Sequence, residues 1–334
     1  MKRWRAAVLG TVALVVVLAA ALAAAAAWWL DRPLVLAKDR VELSIDPGAK
    51  PREIARAWVD AGVETPPWLL YEWFRWSGQA RRIRAGSYEI DRQVTPRRLL
   101  QKMVLGDETL ATVRITEGWT FGQVRAALAA AADLVPATAG LGDAEIMALL
   151  GEPGVSPEGR FFPDTYAYSK GSTDLAVLAR AQRAMRERLA AAWNSRAPDT
   201  PLRNADEALT LASIVEKETG VAADRAMIAG VFTNRLRIGM PLQTDPTVIY
   251  GLGARFDGNL RKSDLLADTP YNTYTRTGLP PTPISMPGKA SLDAAVRPAA
   301  TDALYFVARG DGSSEFSATL PAHNRAVNQY QRGK

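Results

Sequence analysis

Read from the N-terminus, the chain opens on an apolar run. Over residues 6–30 only Gly10 and Thr11 interrupt it, and a bilayer needs about 20 such residues. The run predicts a membrane-spanning helix, with Trp28 and Trp29 placed where an interfacial aromatic belt sits. Beyond it the pattern shortens. Residues 41–45 alternate like a strand and run into a turn at Asp46-Pro47-Gly48. Pro51 opens a helical pattern over residues 51–61, residues 68–76 read as a second helix, and residues 85–90 as a second strand. Thr95-Pro96 begins another helix that stops at Gly106, followed by a strand at 111–116 and a helix over 120–133. Residues 134–157 are rich in Ala, Gly and Pro and predict a surface excursion with one short helix. Residues 173–193 form a long helix of mixed charge, most simply a solvated face. The expected fold class is therefore α+β: an anchor, a small βααβ module, then mixed helices and short strands.

One helix carries a chemical signal. At about 100° per residue, Glu218 lies near the azimuth of Leu211, between Ile214 and Val215, while Glu216 points well off that stripe. Asn204, three residues before Glu207, marks the start of this helix, and Gly220 marks its stop. A carboxyl on an apolar stripe resists ionisation, which is what a general acid requires. An unperturbed Glu near pKa 4.3 is roughly 0.2% protonated at pH 7, and raising it to about 6 gives roughly 10%. The same placement also suits a Glu that forms a salt bridge at the edge of a core helix.

Composition narrows the chemistry. The 334 residues include no Cys and a single His, His323. Thiol nucleophiles, disulfides and multi-His metal sites are excluded, and a Ser-His-Asp triad could run only through His323. Neither a metal nor a cofactor is expected. Catalysis would rest on carboxylates, Lys, Tyr or hydroxyls. The net charge of +6 favours anionic partners. It is spread along the chain with no nucleic-acid-binding pattern, so a nucleic-acid partner is not expected. Lys2, Arg3 and Arg5 precede the apolar run, while Asp31 and Arg32 nearly cancel after it. Residues 1–5 are thus predicted in the cytoplasm and the body outside it, in a single-pass protein of the cytoplasmic membrane. A cleaved signal peptide is the competing reading, but the run is long for one and lacks a polar segment before a cleavage site.

The β-α-α-β order of residues 38–108 resembles LysM modules, which bind glycans containing N-acetylglucosamine. Trp58, Trp68, Trp73 and Trp76 either stack on sugar rings or, as is commoner at helical spacing, form core. Further on, several stretches are both polar and stiff: 157–166, 243–250, 271–274, 278–281 and 285–288. Loops of this composition hold Asn, Gln, Asp and Tyr side chains at set positions, suited to sugar hydroxyls and acetamido groups, although each alone is an ordinary turn.

Taken together, these stretches resemble the YceG-like family, the membrane-anchored endolytic murein transglycosylases of bacteria. The resemblance rests on Ser213-Ile214-Val215-Glu216-Lys217-Glu218-Thr219, Asn234-Arg235-Leu236, residues 242–251, Tyr271-Asn272-Thr273-Tyr274, residues 278–284 and Leu304-Tyr305-Phe306-Val307. It extends through Glu117-Gly118, Glu158-Gly159 and Pro163-Asp164-Thr165-Tyr166, and fades over 134–157. It implies a catalytic domain over 109–334 that cuts the β-1,4 bond between N-acetylmuramic acid and N-acetylglucosamine within the strand. It also implies that Glu218 is the catalytic residue, the same residue the helix azimuth selects. Glu158, Asp164, Gln243, Asp245, Tyr250, Asn272 and Tyr274 become candidates for substrate positioning, and His323 for a structural role. The implied partners are peptidoglycan strands, the cytoplasmic membrane and peptidoglycan synthases. A hydrolase in which Asp245 activates water opposite Glu218 and a non-catalytic wall-binding scaffold remain the alternatives.

Overall fold

A computed structural model describes residues 2–218 and 221–332. The chain divides into two units, Met1–Ala111 with Tyr168–Gly171, and Thr112–Ala167 with Ser172–Lys334. The fold is mixed α+β, and its strands pair in two-stranded sheets.

The first unit begins with α1 (Lys2–Leu30), of which Val12–Leu30 is long and apolar enough to cross a membrane. Its body follows the βααβ order. β1 (Arg40–Ile45) leads through α2 (Pro51–Ala61) and α3 (Pro67–Trp76) to β2 (Gly86–Asp91), and the strands pair antiparallel with Leu43 opposite Tyr88. The predicted bounds hold to within a residue or so, because the determinants are local: a turn at Pro47-Gly48 and prolines at the helix starts, where the missing N–H costs nothing. α4 (Pro96–Leu105) is capped by Thr95 and closed by Gly106 in the left-handed region at φ 72°. Trp58, Leu70, Phe74, Tyr88, Leu99 and Met103 form the core, each fully buried. The four tryptophans divide. Trp58 is core and donates to the Met103 sulfur, Trp73 is half-buried and donates to the Pro96 carbonyl at 2.9 Å, and Trp68 and Trp76 are exposed.

After β3 (Leu110–Arg114), which pairs with β4 (Thr165–Ser169), come α5 (Phe121–Ala130) and α6 (Asp143–Leu149). The second unit is built around α8 (Ala205–Glu218), which packs against α7 (Asp174–Asn194), α9 (Ala222–Arg237), α10 (Asp245–Leu252) and α12 (Lys289–Val296). The short α11 (Lys262–Leu266) precedes α12, and a hairpin of β5 (Tyr305–Ala308) and β6 (Ser314–Ser317) leads to α13 (Leu320–Val327).

Several expectations change here. Residues 208–215 of α8 are all buried, not one stripe of them. The polar members survive burial through bonds to nearby backbone: Ser213 donates to the Thr210 carbonyl and accepts from the Ile284 N–H. α7 is no solvated face, because Val177, Leu178, Ala181, Met185 and Leu189 line one side of it and are buried. The segment read as a surface excursion is tied down. Ile146 and Met147 are fully buried, and the Thr138 N–H and hydroxyl both donate to the buried carboxylate of Asp174. The stretch 243–250, expected as a loop, is mostly helical: α10 begins at Asp245 with Pro246 in its first turn.

Candidate active site

α8 delivers Glu218 to the site. Its start is fixed by Asn204, whose side-chain oxygen accepts from the Glu207 N–H at 2.9 Å. The predicted stop, Gly220, and Thr219 lie outside the described residues. Glu216, about 160° from Glu218 around the helix axis, serves α12 instead. Its carboxylate accepts from the Gly288 N–H at 2.9 Å and the Ser291 hydroxyl at 2.8 Å, at the helix N-terminus where negative charge is favoured. A Cβ on Gly288 would lie 1.8 Å from the Glu117 carboxylate, so a larger residue there would have to displace the exposed Glu117 side chain. The Glu117-Gly118-Trp119 turn is held to the same segment by Gly118 N–H to Met286 O and Met286 N–H to Trp119 O.

The Glu218 carboxyl accepts a hydrogen bond from the Thr244 hydroxyl. Thr244 is buried, and its N–H donates to the Thr273 hydroxyl at 3.1 Å. Thr273 in turn shares a 2.8 Å hydroxyl contact with Thr247. Gln243, just before, adopts φ 48° and donates its N–H to the Thr273 carbonyl. A non-glycine residue in this region carries a cost of about 1–3 kcal/mol, offset here by the surrounding bonds. The sharp turn lets Thr244 point inward while Gln243 and Asp245 stay exposed.

Glu218, Gln243, Asp245 and Tyr274 line one cavity of about 670 Å³ with Arg235 and His323. Burial pushes the Glu218 carboxyl above its ordinary value, Asp245 adds to the rise, and the Thr244 hydroxyl and Arg235 oppose it. Arg235 is a buried clamp. Its guanidinium donates to the Leu304 carbonyl at 2.7 Å and the Leu242 carbonyl at 2.8 Å, and lies over the Tyr305 ring. The Tyr274 hydroxyl donates to Asp245 at 2.5 Å. Burial and Asp245 raise the Tyr274 phenol well above its ordinary range, so it serves as a donor and not a base. His323 stacks on Tyr305, and burial together with Arg235 lowers its pKa, which keeps the ring neutral near pH 7. Among the described residues, no cluster of three or more His, Asp and Glu could hold a metal ion.

The other candidates lie elsewhere. Glu158 is 5% exposed, accepts from the Phe121 N–H at 3.0 Å and the Tyr250 hydroxyl at 3.1 Å, and has its pKa pushed up to about 7 by burial. Tyr250 packs edge-on against Tyr271. Asn272 is buried, and its amide donates to the carbonyls of Asp264, Leu265 and Ala267 while its oxygen accepts from the Tyr274 N–H. It holds the loop that aims Tyr274. Asp164 is exposed and accepts from the Thr165 N–H, and its carbonyl accepts from Ile115. The stretch 278–283 lines a second cavity of about 660 Å³, shared with Arg160, Asp206 and Glu207. Thr244, the direct partner of Glu218, was not singled out from the sequence. Its only signal was membership of the 243–250 stretch.

Residues 43–329 match the YceG-like family. The chain belongs to the YceG-like family. Over 177 residues it is 42% identical to the endolytic murein transglycosylase of Bacillus subtilis, a match covering 53% of this chain and 49% of that protein. It is 27% identical to the endolytic murein transglycosylase of Streptococcus pneumoniae D39, covering 89% of this chain and 60% of that one. The chain thus spans about half to three-fifths of the length of these relatives. The crystal structure of a YceG-like protein from Listeria monocytogenes superposes with a TM-score of 0.53 at 29% identity, covering 86% of this chain and 99% of that one.

Proposed function

We propose that this YceG-like protein is an endolytic peptidoglycan lytic transglycosylase, with Glu218 as its single acid–base residue. The observation that carries the proposal is a half-buried carboxyl whose pKa is raised, oriented by the Thr244 hydroxyl and facing a cavity that can take a sugar chain. Protonated Glu218 donates to the oxygen between N-acetylmuramic acid and N-acetylglucosamine as the glycosidic bond breaks. The resulting carboxylate then takes the proton from the C6 hydroxyl of the same muramyl residue. That hydroxyl attacks C1, closes a 1,6-anhydro ring and returns Glu218 to its starting state. The nucleophile belongs to the substrate and is already close, so no water and no second carboxylate are required. Asp245, engaged by Tyr274, positions substrate and helps keep Glu218 protonated. Gln243 and Tyr274 line the same cavity as substrate contacts, Asn272 holds the loop that carries Tyr274, and Glu158, Tyr250 and Asp164 lie outside it.

In this reading residues 6–30 are a retained anchor, residues 1–5 are cytoplasmic and the body is extracytoplasmic. Residues 38–108 form a LysM-like module and residues 109–334 the catalytic domain. Its work is to terminate nascent glycan strands beside the synthases that make them. The names of the relatives and the apolar α1 support this assignment.

The test is release of internal fragments from purified peptidoglycan by the detergent-solubilised chain and by its Glu218→Gln variant. Release by the first and not the second supports the proposal. Binding without release by either would instead favour a non-catalytic wall-binding scaffold.

A further inference from the structure

α3 buries one side and leaves an aromatic side bare. Around its axis Leu70 and Phe74 face the core of the first unit, fully buried. Taking Trp73 as origin and about 100° per residue, Leu69, Trp76, Glu72 and Trp68 follow one another around an arc of about 140° on the other side. Trp68 is 64% exposed and Trp76 78%. Large exposed aromatics grouped on one helix face mark a contact surface, and Trp is the residue enriched where hydrocarbon meets headgroups.

That face is continuous with the foot of α1. Trp73 donates to the Pro96 carbonyl, and the next residue, Arg97, lies over the Trp73 ring. Arg97 also forms a two-point ion pair with Asp31, at 2.8 and 3.3 Å, and Asp31 directly follows the last residue of α1. At the same foot, Trp29 packs on the core of the first unit, while Trp28 is exposed under the Arg32 guanidinium. The end of the apolar helix is therefore fixed to the aromatic side of α3 by named contacts. Arg75 lies over the Trp76 ring and pairs with Glu72 at 2.8 Å, and exposed Arg81 and Arg82 follow just beyond α3.

We propose that the Trp68–Glu72–Trp76 face of α3 is a second membrane contact, seating the first unit on anionic lipid headgroups at the foot of α1. The proposal rests on the reading of α1 as a retained anchor. Trp68 and Trp76 insert at headgroup depth, and Arg75, Arg81 and Arg82 meet lipid phosphates.

The chain has no cysteine, so single thiols can be placed for nitroxide labelling of the full chain in nanodiscs containing anionic lipid. Glu72→Cys reports on the face, Arg56→Cys on an exposed position of α2, and Val17→Cys on α1. The expected result is collision with a water-soluble nickel chelate several-fold lower at 72 than at 56. Adding Trp68→Ala and Trp76→Ala should return position 72 to the level of 56. Both tryptophans are exposed, so these changes leave the core intact. A label at 72 as accessible as that at 56, with 17 shielded, overturns the proposal and leaves the anchor standing. A label at 72 that is open in the discs and shielded only by soluble glycan fragments makes the face a sugar platform, which also overturns it. A water-accessible label at 17 removes the anchor reading itself, and the proposal with it.

Discussion

Replacing Thr244 with Val removes a direct hydrogen bond to the Glu218 carboxyl. The two side chains have nearly the same shape, and Thr244 is buried, so the change removes a hydroxyl without opening a cavity. The hydroxyl donates to Glu218 and favours its ionised form, opposing the rise that burial imposes. A hydrogen bond to a charged group contributes about 1.5–3 kcal/mol, which changes the ratio of protonated to ionised Glu218 by about ten- to a hundred-fold. If protonated Glu218 is the active form of the free enzyme, kcat/KM declines as pH rises through its pKa. Thr244→Val should displace that declining limb upward by about one pH unit or more. It should also lower kcat, because the carboxyl loses the group that orients it. Thr244→Ser keeps the hydroxyl and should keep the limb in place. The assay is the pH profile of fragment release from purified peptidoglycan. An unmoved limb in Thr244→Val, with the protein folded, would refute the assignment of this hydroxyl as the group that tunes Glu218.

Glu218→Gln should reduce turnover by about a hundred- to ten-thousand-fold, the usual contribution of a general acid or base, with an unchanged circular dichroism spectrum. Glu158 holds its proton up to about pH 7 in the folded state against an ordinary 4.5, so the folded protein binds that proton more tightly than the unfolded one. Its effect on stability is most favourable below pH 4.5 and falls by about 3 kcal/mol as pH climbs through 7. In thermal melts across pH 5–8, Glu158→Gln should flatten that part of the dependence, and an unchanged slope would contradict it. Asn272→Ala leaves the carbonyls of Asp264, Leu265 and Ala267 without their shared donor, and should cost about 2–4 kcal/mol in urea unfolding.

What was legible in the sequence was what local chemistry decides. The turn before α2, the Thr95 and Gly106 ends of α4 and the Asn204 cap of α8 each depend on residues within a few positions. Helical phase and a recognisable neighbourhood pointed to Glu218, which the structure places beside Thr244 on the cavity wall. Illegible were contacts across long separations. Glu158 and Tyr250 look like groove residues by type, yet they bond to each other 92 positions apart. The role of Arg235 depends on carbonyls of residues 242 and 304, and that of Thr244 on a fold that returns 26 residues after Glu218. α7 was misread because its buried side includes Ala181 and Gln182, whose contrast with the exposed side is weak. α10 was missed because its first turn holds Asp, Pro and Thr, which signal a loop as readily as a helix start.

The central claim is that the substrate's own hydroxyl, and not water, attacks the sugar while Glu218 moves the proton. Digestion of purified peptidoglycan by the detergent-solubilised full chain in ¹⁸O-labelled water, read by mass spectrometry, tests it most directly. The predicted result is internal fragments that end in 1,6-anhydro-muramic acid and carry no ¹⁸O, produced by the wild-type chain and absent with Glu218→Gln. Reducing ends carrying ¹⁸O would contradict the claim and favour the hydrolase reading, in which a base such as Asp245 activates water opposite Glu218.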